Sequence, residues 1–332
     1  MRNILCVTLI ALLGGCTSTS VTEKYQDKRN DIINVKDKVI EFETGNVLIG
    51  SVSRLYMSNK CLLIADHKSV DKQIHIFNKN DFSYLTSIGN FGEGPEEITV
   101  MGCLAIDEAH HQLYVSDHAK QKIFSYDMDS VMVDSLYKPQ VKTAMNETLF
   151  PSEYQYINDT LSIAVLIKPT STSTFNQFLG RWNMNTGEMI PMKYTHPDIQ
   201  KKRITFAASE KAGIYVECYT RHDLMTICSL DGELLYNIYG PDWDGGNGNK
   251  LQSFGTVMIG NDKIFVSYCG EDYARDSFPT KILVFDLEGN YLKPLETGYK
   301  ISDCCYDSFN NRIILSLNDV VQFAYLDIDG II

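Results

Sequence analysis

The sequence lacks the short motifs that would assign a chemistry on their own. It contains no Cys-x-x-Cys, no Cys/His spacing that suits zinc, no His-Glu-x-x-His and no nucleophile elbow. The glycine-rich stretch Gly89–Pro95 has neither the Lys-Ser/Thr pair of a phosphate-binding loop nor a helix signal after it. No local signature of catalysis is present, although a Ser-His-Asp triad assembled in space stays open.

Basic residues are also scarce. The 332 residues include 30 Lys and Arg against 42 Asp and Glu, giving a formal net charge of -12 and a pI near 5.0. Such a surface argues against nucleic acid as a partner and against charge-driven adhesion to anionic lipid. A content of 44% hydrophobic and 22% charged residues is ordinary for a globular chain, so the protein is expected to fold.

No apolar run is long enough to span a bilayer as a helix. The run Ile4–Leu13 has ten residues, follows Arg2 and leads directly into Leu13-Gly14-Gly15-Cys16. This segment resembles the bacterial lipoprotein signal, in which Leu, two small residues and Cys mark the cleavage site. The resemblance implies a signal peptide over residues 1–15 and lipid on Cys16, with an ordinary secretory signal as the alternative.

The residues after Cys16 are polar and are interpreted as a tether over residues 16–34. They lack the Asp after Cys that resembles one retention signal and the acidic cluster that resembles one surface-export signal. We therefore expect an outer-membrane lipoprotein of the cell envelope, with the periplasmic side favoured and surface exposure as the alternative. The lipid is its expected sole contact with the membrane.

Seven cysteines remain after Cys6 of the signal and the lipidated Cys16 are set aside. An odd number cannot pair completely within one chain. Most lie in apolar, strand-like runs, where a free thiol packs as a small hydrophobe, so buried free thiols are expected. The seven are Cys61, Cys103, Cys218, Cys228, Cys269, Cys304 and Cys305.

Helical periodicity is missing as well, and a strand-rich repeat takes its place. Leu62–His67 followed by Ile74–Phe77 returns as Leu113–His118 followed by Ile123–Tyr126, 51 positions later. A repeat of this length, built from short strands, indicates a radial β architecture.

Six such units can be placed, averaging about fifty residues each. Their third strands end in a hydrophobe followed by Asp, Asn or Ser, usually before a turn. Too few residues follow the sixth unit for its outer strand, so the segment Val35–Phe42 is predicted to supply it and close the ring. The anchor residues of the third strands are Phe77, Tyr126, Trp182, Cys228, Phe285 and Leu326.

The segment Ile88–Glu97, containing Gly-Glu-Gly-Pro-Glu, resembles the inter-blade segment of NHL-like and TolB-like six-bladed β-propellers, especially lipoproteins common in Bacteroidetes. Gly240-Pro241-Asp242 is a degenerate copy. The resemblance implies an all-β fold of four-stranded antiparallel blades, forming a single domain over residues 35–332. The glycines are expected to provide positive φ angles and close crossings between blades.

Asp66-His67 and Asp117-His118 end the second strands of adjacent repeats and should lie on one face of the ring. Two Asp and two His could hold a divalent metal or bind a sugar. The alternative is that each Asp caps its own loop backbone and each His is exposed. No cofactor is predicted, with a calcium-like divalent cation as the alternative.

Other candidates are surface features. Asp242, Trp243 and Asp244 begin a polar loop predicted to be mobile, in which the Glu of an EF-hand is replaced by Ser253 and Trp243 could stack on a partner. Ser130, Ser135 and Thr160 stand in Asp-Ser/Thr-apolar triplets that resemble acceptor sites for O-glycosylation in Bacteroidetes.

The expected function is that of a monomeric binding or scaffolding module for a protein or glycan partner. Rigid strands with freely varying loops suit that role, although fold alone does not decide function. The alternative is a metal-dependent enzyme, lactonase-like or a sugar hydrolase or lyase, with its site at the channel mouth. Besides the two Asp-His pairs, its ligands could include Asp262 or Asp303.

Overall fold

The computed structural model describes residues 22–134, 136–200, 202–247, 250–275 and 277–332. The predicted signal peptide, Cys16 and Ser135 lie outside these residues. The described chain forms six sheets around a central channel, each built on four antiparallel strands. The predicted all-β, six-bladed propeller is thereby confirmed. None of the helices in the described part of the chain is long and apolar enough to cross a membrane.

An N-terminal segment precedes the first blade and contributes strands to other blades. In chain order it contains β1 (Glu23–Tyr25), β2 (Ile33–Asn34), a 3₁₀ helix (Lys36–Lys38) and β3 (Val39–Glu41).

The first three blades follow one another along the chain. Blade 1 comprises β4 (Ser53–Met57), β5 (Cys61–Asp66), β6 (Lys72–Asn78) and β7 (Tyr84–Asn90); blade 2 comprises β8 (Met101–Asp107), β9 (Gln112–Asp117), β10 (Lys122–Asp127), helix α1 (Met128–Val133) and β11 (Gln140–Ala144); blade 3 comprises β12 (Phe150–Asn158), β13 (Leu161–Pro169), β14 (Phe175–Trp182) and β15 (Met189–Pro191).

The last three blades complete the ring. Blade 4 comprises β16 (Ile204–Ser209), β17 (Ile214–Tyr219), β18 (Leu224–Ser229) and β19 (Leu234–Tyr239); blade 5 comprises β20 (Leu251–Ile259), β21 (Lys263–Asp272), a 3₁₀ helix (Tyr273–Arg275), β22 (Lys281–Asp286) and β23 (Tyr291–Glu296); blade 6 comprises β24 (Ile301–Asp307), β25 (Arg312–Leu317) and β26 (Phe323–Asp327). The third strands β6, β10, β14, β18, β22 and β26 contain the six predicted anchors.

The core lies between the blades. The second strands β5, β17 and β25 are buried along their whole length, because each sheet packs on a neighbour with both faces. One core cluster joins Leu63 and Ile76 of blade 1 to Leu104 and Val115 of blade 2. All seven cysteines named above are buried free thiols, as expected. Burial raises the pKa of Cys103 to about 12, which keeps this thiol protonated and unreactive.

The two faces of the ring differ in what they carry. Because the strands of a blade alternate in direction, one face holds the loops between second and third strands and the connections between blades. We call this the upper face. The lower face holds the hairpins between first and second strands and the loops between third and fourth strands.

The sixth blade is closed by the N-terminal segment, as predicted. Strand β3 pairs antiparallel with β26, in the register Val39 to Leu326 and Glu41 to Ala324. The same junction holds a buried charge cluster in which Asp307 of blade 6 accepts from Lys79 of blade 1, at 3.2 Å, and from Arg312. Arg312 also donates to the carbonyl of Lys79 and lies 4.7 Å from the ring centroid of Phe82. The first and last blades are therefore joined by strand pairing and by charge.

The segment predicted as a polar tether forms two short strands within its described residues. Strand β1 pairs in parallel with the outer strand of blade 4, and β2 pairs in parallel with the outer strand of blade 5. Unpaired outer strands expose backbone donors and acceptors, and these additions cover them. The propeller boundary expected at residue 35 is thus corrected to include residues 22–34. Strands of three and two residues are too short to show the alternation that would have revealed them.

Arg29 fixes this N-terminal segment to the junction of blades 4 and 5. Its guanidinium forms a bidentate ion pair with Asp223, at 2.5 and 2.9 Å, and lies 4.5 Å from the ring centroid of Tyr268. The Asp223 side chain is fully buried, and burial raises the pKa of its carboxyl group although Arg29 opposes the change. Gly240, in the degenerate motif copy, leaves room for this pair because a Cβ there would collide with both partners.

Replacing Arg29 by Ala should therefore destabilise the propeller by about 3 kcal/mol or more, because it leaves a buried carboxylate without its cation. The loss should be smaller at pH 5 than at pH 8, since protonation of Asp223 removes the uncompensated charge. Urea unfolding at the two pH values measures both effects. The matched control is Lys28→Ala, a change at the exposed neighbouring cation. Equal stability of the two variants would contradict the assignment.

Candidate functional site

The central channel of the ring has a volume of about 340 Å³. It is lined by the first strands of all six blades. Three charged side chains reach its wall, Arg54 from β4, Glu153 from β12 and Asp303 from β24. A cavity with a few converging polar groups is the usual place to look for a ligand site.

Arg54 and Glu153 connect blades 1 and 3. Arg54 Nη1 lies 3.2 Å from Glu153 Oε1, and both side chains remain about 40% exposed to the channel. Exposed pairs of this kind contribute little to stability, roughly 0–1 kcal/mol, because solvent screens them. Because the two charges neutralise each other, this pair leaves no unpaired charge on the channel wall to bind an ionic ligand.

Asp303 is used to join inner strands. Its Oδ2 accepts from the backbone N–H of Leu55 in blade 1 at 2.8 Å, and its Oδ1 accepts from Thr256 Oγ1 in blade 5 at 2.6 Å. Burial raises the pKa of its carboxyl group. The alternative enzyme hypothesis therefore placed Asp303 in the right region, but its oxygens bind the protein itself. Asp262 is exposed and pairs with Lys263 at 2.7 Å.

The two repeated aspartates cap their loops. Asp117 accepts from the backbone N–H groups of Thr99, Val100, Ala119 and Lys120, at 2.8 to 3.2 Å. Asp66 accepts from the N–H groups of Gly50 and Lys68, at 2.8 and 2.9 Å. The capping alternative describes both carboxylates correctly.

The two repeated histidines are half-buried rather than exposed, which corrects one part of that alternative. Burial lowers the pKa of both His67 and His118. His118 lies between blades, with its ring 6.1 Å from that of Phe150 in blade 3. Asp66, His67, Asp117 and His118 do lie on the upper face, but their possible ligand atoms do not form a set within 4.8 Å of one another.

Among the described residues, one set of three carboxylate and imidazole groups lies within 4.8 Å of one another, and it was not foreseen. It comprises Asp107, His110 and Asp159 on the lower face, with His110 Nδ1 at 2.9 Å from Asp107 Oδ2 and at 3.9 Å from Asp159 Oδ1. The hydrogen bond with Asp107 raises the pKa of His110. The sequence signal was an Asp at the end of a first strand with His three residues later.

The corresponding hairpin of blade 6 explains this arrangement without a metal. There Asp307 accepts from the N–H and from the side-chain amide of Asn310, at 3.4 and 2.7 Å. Asp107 accepts from the N–H and the ring of His110 in the same way, at 3.1 and 2.9 Å. Each aspartate caps the hairpin that follows it.

The loop at residues 242–244, predicted to be mobile, makes several contacts with blade 4. Trp243 is half-buried, with its ring 5.0 Å from Tyr239 and 5.5 Å from His196. The backbone N–H of Asp242 donates to Asp223 at 3.2 Å, and Asp244 Oδ1 lies 3.5 Å from His222 Nδ1. These contacts hold the loop on blade 4, so Trp243 is not a free stacking platform.

The two described candidates for glycosylation differ in access. Thr160 is exposed in the hairpin after β12, whereas Ser130 is half-buried in the first turn of α1, where its N–H donates to Asp127. Modification of Thr160 remains a prediction with a reachable hydroxyl. Modification of Ser130 would require the turn to open.

A further feature of the upper face escaped the sequence analysis. Val320 is 100% exposed, Leu48 95% and Val70 82%, and all three lie in upper-face loops of blades 6 and 1. Further exposed apolar side chains of the same loops extend this surface towards blade 2. We call the set the apolar ridge, and its members are Leu48, Val52, Val70, Phe91, Val100 and Val320.

Hydrogen bonds connect the loops that carry the ridge residues. His67 N–H donates to Val52 at 3.1 Å, and Phe91 N–H donates to Asp71, next to Val70, at 2.7 Å. From blade 6, the side chain of Gln322 donates to the carbonyl of Ile49 at 2.9 Å. The loops are thus tied to one another. Single hydrophobes within polar turns gave no sequence signal, because their proximity depends on ring closure.

Replacing Asp117 by Ala should cost about 2 kcal/mol of unfolding free energy, since four partly buried N–H groups lose the carboxylate that accepts from them. Thermal and urea unfolding measure this loss. Asp71→Ala, at an exposed aspartate of the corresponding blade 1 loop, is the control and should change stability little. A metal site would behave differently: a chelator would lower the stability of the parent to that of the variant, because the bound ion would be the source of the stabilisation.

Comparisons with known proteins agree with this architecture. Residues 17–176 match the model of the family described as "DUF5128: 6-bladed beta-propeller". A putative exported protein from Bacteroides fragilis superposes with a TM-score of 0.58 at 14% identity, covering 89% of this chain and 87% of that one. A member of the DUF4221 family from Bacteroides vulgatus gives 0.60 at 11% identity, covering 90% and 98%.

A luciferin-regenerating enzyme gives a TM-score of 0.56 at 8% identity, covering 86% of this chain and 94% of that one. The comparison with curated proteins found no match. At these identities the structural likeness concerns the fold alone. The chain is a six-bladed β-propeller, and its first half is similar to the DUF5128 family of such propellers.

Proposed function

We propose that this propeller is a binding module of the bacterial cell envelope, held at the membrane by lipid on Cys16 and docking a protein through its upper face. The observation that carries the proposal is the apolar ridge, where three aliphatic side chains are 82 to 100% exposed in adjacent loops. Contiguous exposed apolar surface, in contrast to scattered single residues, marks interaction sites.

Rigid loops support this role. Asp66 and Asp117 cap the two loops of blades 1 and 2 that flank the ridge, because their carboxylates accept hydrogen bonds from the loop backbone. Lys120 donates to the carbonyls of Gly92, Gly94 and Glu97, and so fixes the Gly-Glu-Gly-Pro-Glu connection next to Phe91. A surface already ordered before binding loses less entropy when a partner docks.

The ridge favours a protein over a glycan. Its members are mainly aliphatic, and sugars are usually held by exposed aromatic rings together with hydrogen-bonding groups. Trp243, the aromatic residue proposed for such stacking, is packed against blade 4. The lipoprotein address is supported by the Leu13–Cys16 signal and by the likeness in fold to an exported protein.

Metal-dependent catalysis is the second candidate, and the cluster of Asp107, His110 and Asp159 is the observation that favours it. Two carboxylates and an imidazole could bind a divalent cation. The cluster lies on the lower face rather than at the channel mouth. The hairpin-capping role of Asp107 explains its geometry without an ion, so this function ranks second.

Cross-linking in intact cells tests the binding proposal. A photoreactive benzoylphenylalanine at Val70 or Val320 should give a covalent adduct of defined size, whereas the same residue at Val133 should not. Val133 is the matched control because it is an 87% exposed valine on the lower face. The adduct formed at Val320 should disappear when Leu48 and Val70 are both replaced by Ser. Adducts equally strong at all three positions, or at none, would contradict the proposal.

The enzyme alternative predicts a stoichiometric divalent ion that is lost on replacing Asp159 by Asn. Elemental analysis of the protein, purified without chelators and then dialysed against calcium, zinc or manganese, measures it. We expect no ion that depends on Asp159, because Asp107 already bonds to His110 and to Tyr114. Retention of one ion per chain by the parent and none by the variant would instead favour catalysis.

A further inference from the structure

We infer that the partner of the apolar ridge is a protein segment whose apolar side chains are flanked by lysines or arginines. The inference rests on the proposed function and specifies the chemistry of the partner at the same surface. Three properties of the upper face lead to it: the shape of the ridge, the charges at its margins, and its position relative to the N-terminal anchor.

The residues of the ridge are spread over neighbouring loops of three blades. Val70 and Val320 occupy the loops between second and third strands of blades 1 and 6, and Leu48 lies in the connection between those blades. Phe91 and Val100 lie in the connection from blade 1 to blade 2 and are about half exposed. A partner that covers these positions needs an extended apolar stripe that spans three blades.

The charges at the margins of the ridge are mainly acidic. Lys68, in the loop that carries Val70, and Lys300, in the connection from blade 5 to blade 6, are exposed cations. Exposed carboxylates outnumber them and belong to the loops that carry the ridge residues: Glu43, Asp71, Glu93 and Asp319. Together with the net charge of -12, they attract a basic partner and repel an acidic one.

The anchor leaves the upper face free. Strand β1 runs parallel to β19, the last strand of blade 4, and therefore points towards the upper face. The chain enters β1 from the lower side. Between Cys16 and Glu23 an extended chain reaches about 24 Å, which allows attachment of the lipid below the ring. The ridge then faces away from the membrane, towards other envelope proteins.

The same features disfavour other occupants. A second copy of this chain would bring the same acidic margins against each other, and the repulsion between close like charges opposes such an association. An anionic lipid surface meets the same repulsion and lies on the opposite side of the ring. A protein with an apolar stripe and basic flanks satisfies both the exposed hydrophobes and the carboxylates.

Defined peptides test this chemistry with the full-length lipidated protein in phosphatidylcholine nanodiscs. Three labelled probes share one length: a Leu/Val/Phe centre with Lys flanks, the same centre with Glu flanks, and a Ser centre with Lys flanks. Fluorescence anisotropy measures each affinity, with empty nanodiscs subtracted. The protein variants are the double change Val70→Ser with Val320→Ser, the double change Asp71→Asn with Glu93→Gln, and the control Val133→Ser.

We expect the Lys-flanked apolar peptide to bind about tenfold more tightly than either other probe. The Val70/Val320 variant should lose about tenfold in affinity for it, and Val133→Ser should leave that affinity unchanged. The Asp71/Glu93 variant should lose most of the preference for Lys over Glu flanks. Added salt should weaken binding to the parent protein, because the charges at the margins are exposed to solvent.

Ridge-dependent binding of both apolar probes with equal affinity would overturn the basic-partner inference and leave the proposed function standing. Absence of ridge-dependent binding by any probe would also overturn it. If the cellular cross-links at Val70 and Val320 were absent as well, the proposed function itself would fail. A dimer in sedimentation that dissociates in the Val70/Val320 variant would assign the ridge to a second copy instead.

Discussion

Hydrogen bonding at the open edges of the blades is the constraint on which the other features of this propeller depend. An outer strand without a partner exposes its backbone, and the sixth blade has only three strands of its own. The segment before blade 1 meets this need by pairing with blades 4, 5 and 6 in turn. The ring, its central channel and the relative positions of its loops all require that closure.

Charge reinforces the closure at the junctions where the N-terminal segment and the chain ends meet. Arg29 with Asp223, and Lys79 and Arg312 with Asp307, are buried clusters that join parts of the chain about 200 residues apart. Buried ion pairs recover little net free energy after desolvation, but breaking one partner is costly. We therefore expect these pairs to disfavour arrangements of the blades that would leave one charge buried without its partner.

The sequence allowed prediction of those parts of the fold that repeat. All six third strands were placed, because two-sided burial forces apolar runs that end at polar turns. The closing strand β3 was predicted because the last repeat was one strand short. Strands β1 and β2 were missed because two or three residues carry no periodicity. Asp107 with Asp159, and the apolar ridge, arise from contacts between blades, which a linear pattern does not contain.

The pairing of β1 has a consequence for the order in which the chain folds. Asn237 donates a hydrogen bond to Glu23 across 214 positions. Strand β1 therefore stays unpaired until a much later part of the chain has been synthesised. Closing so long a loop is entropically slow, and contacts of this kind delay folding. Blades 1 to 3 can form from local hairpins while the leading segment is still unpaired. Assembly of this ring is therefore finished only when the strands near both ends of the chain are available to pair.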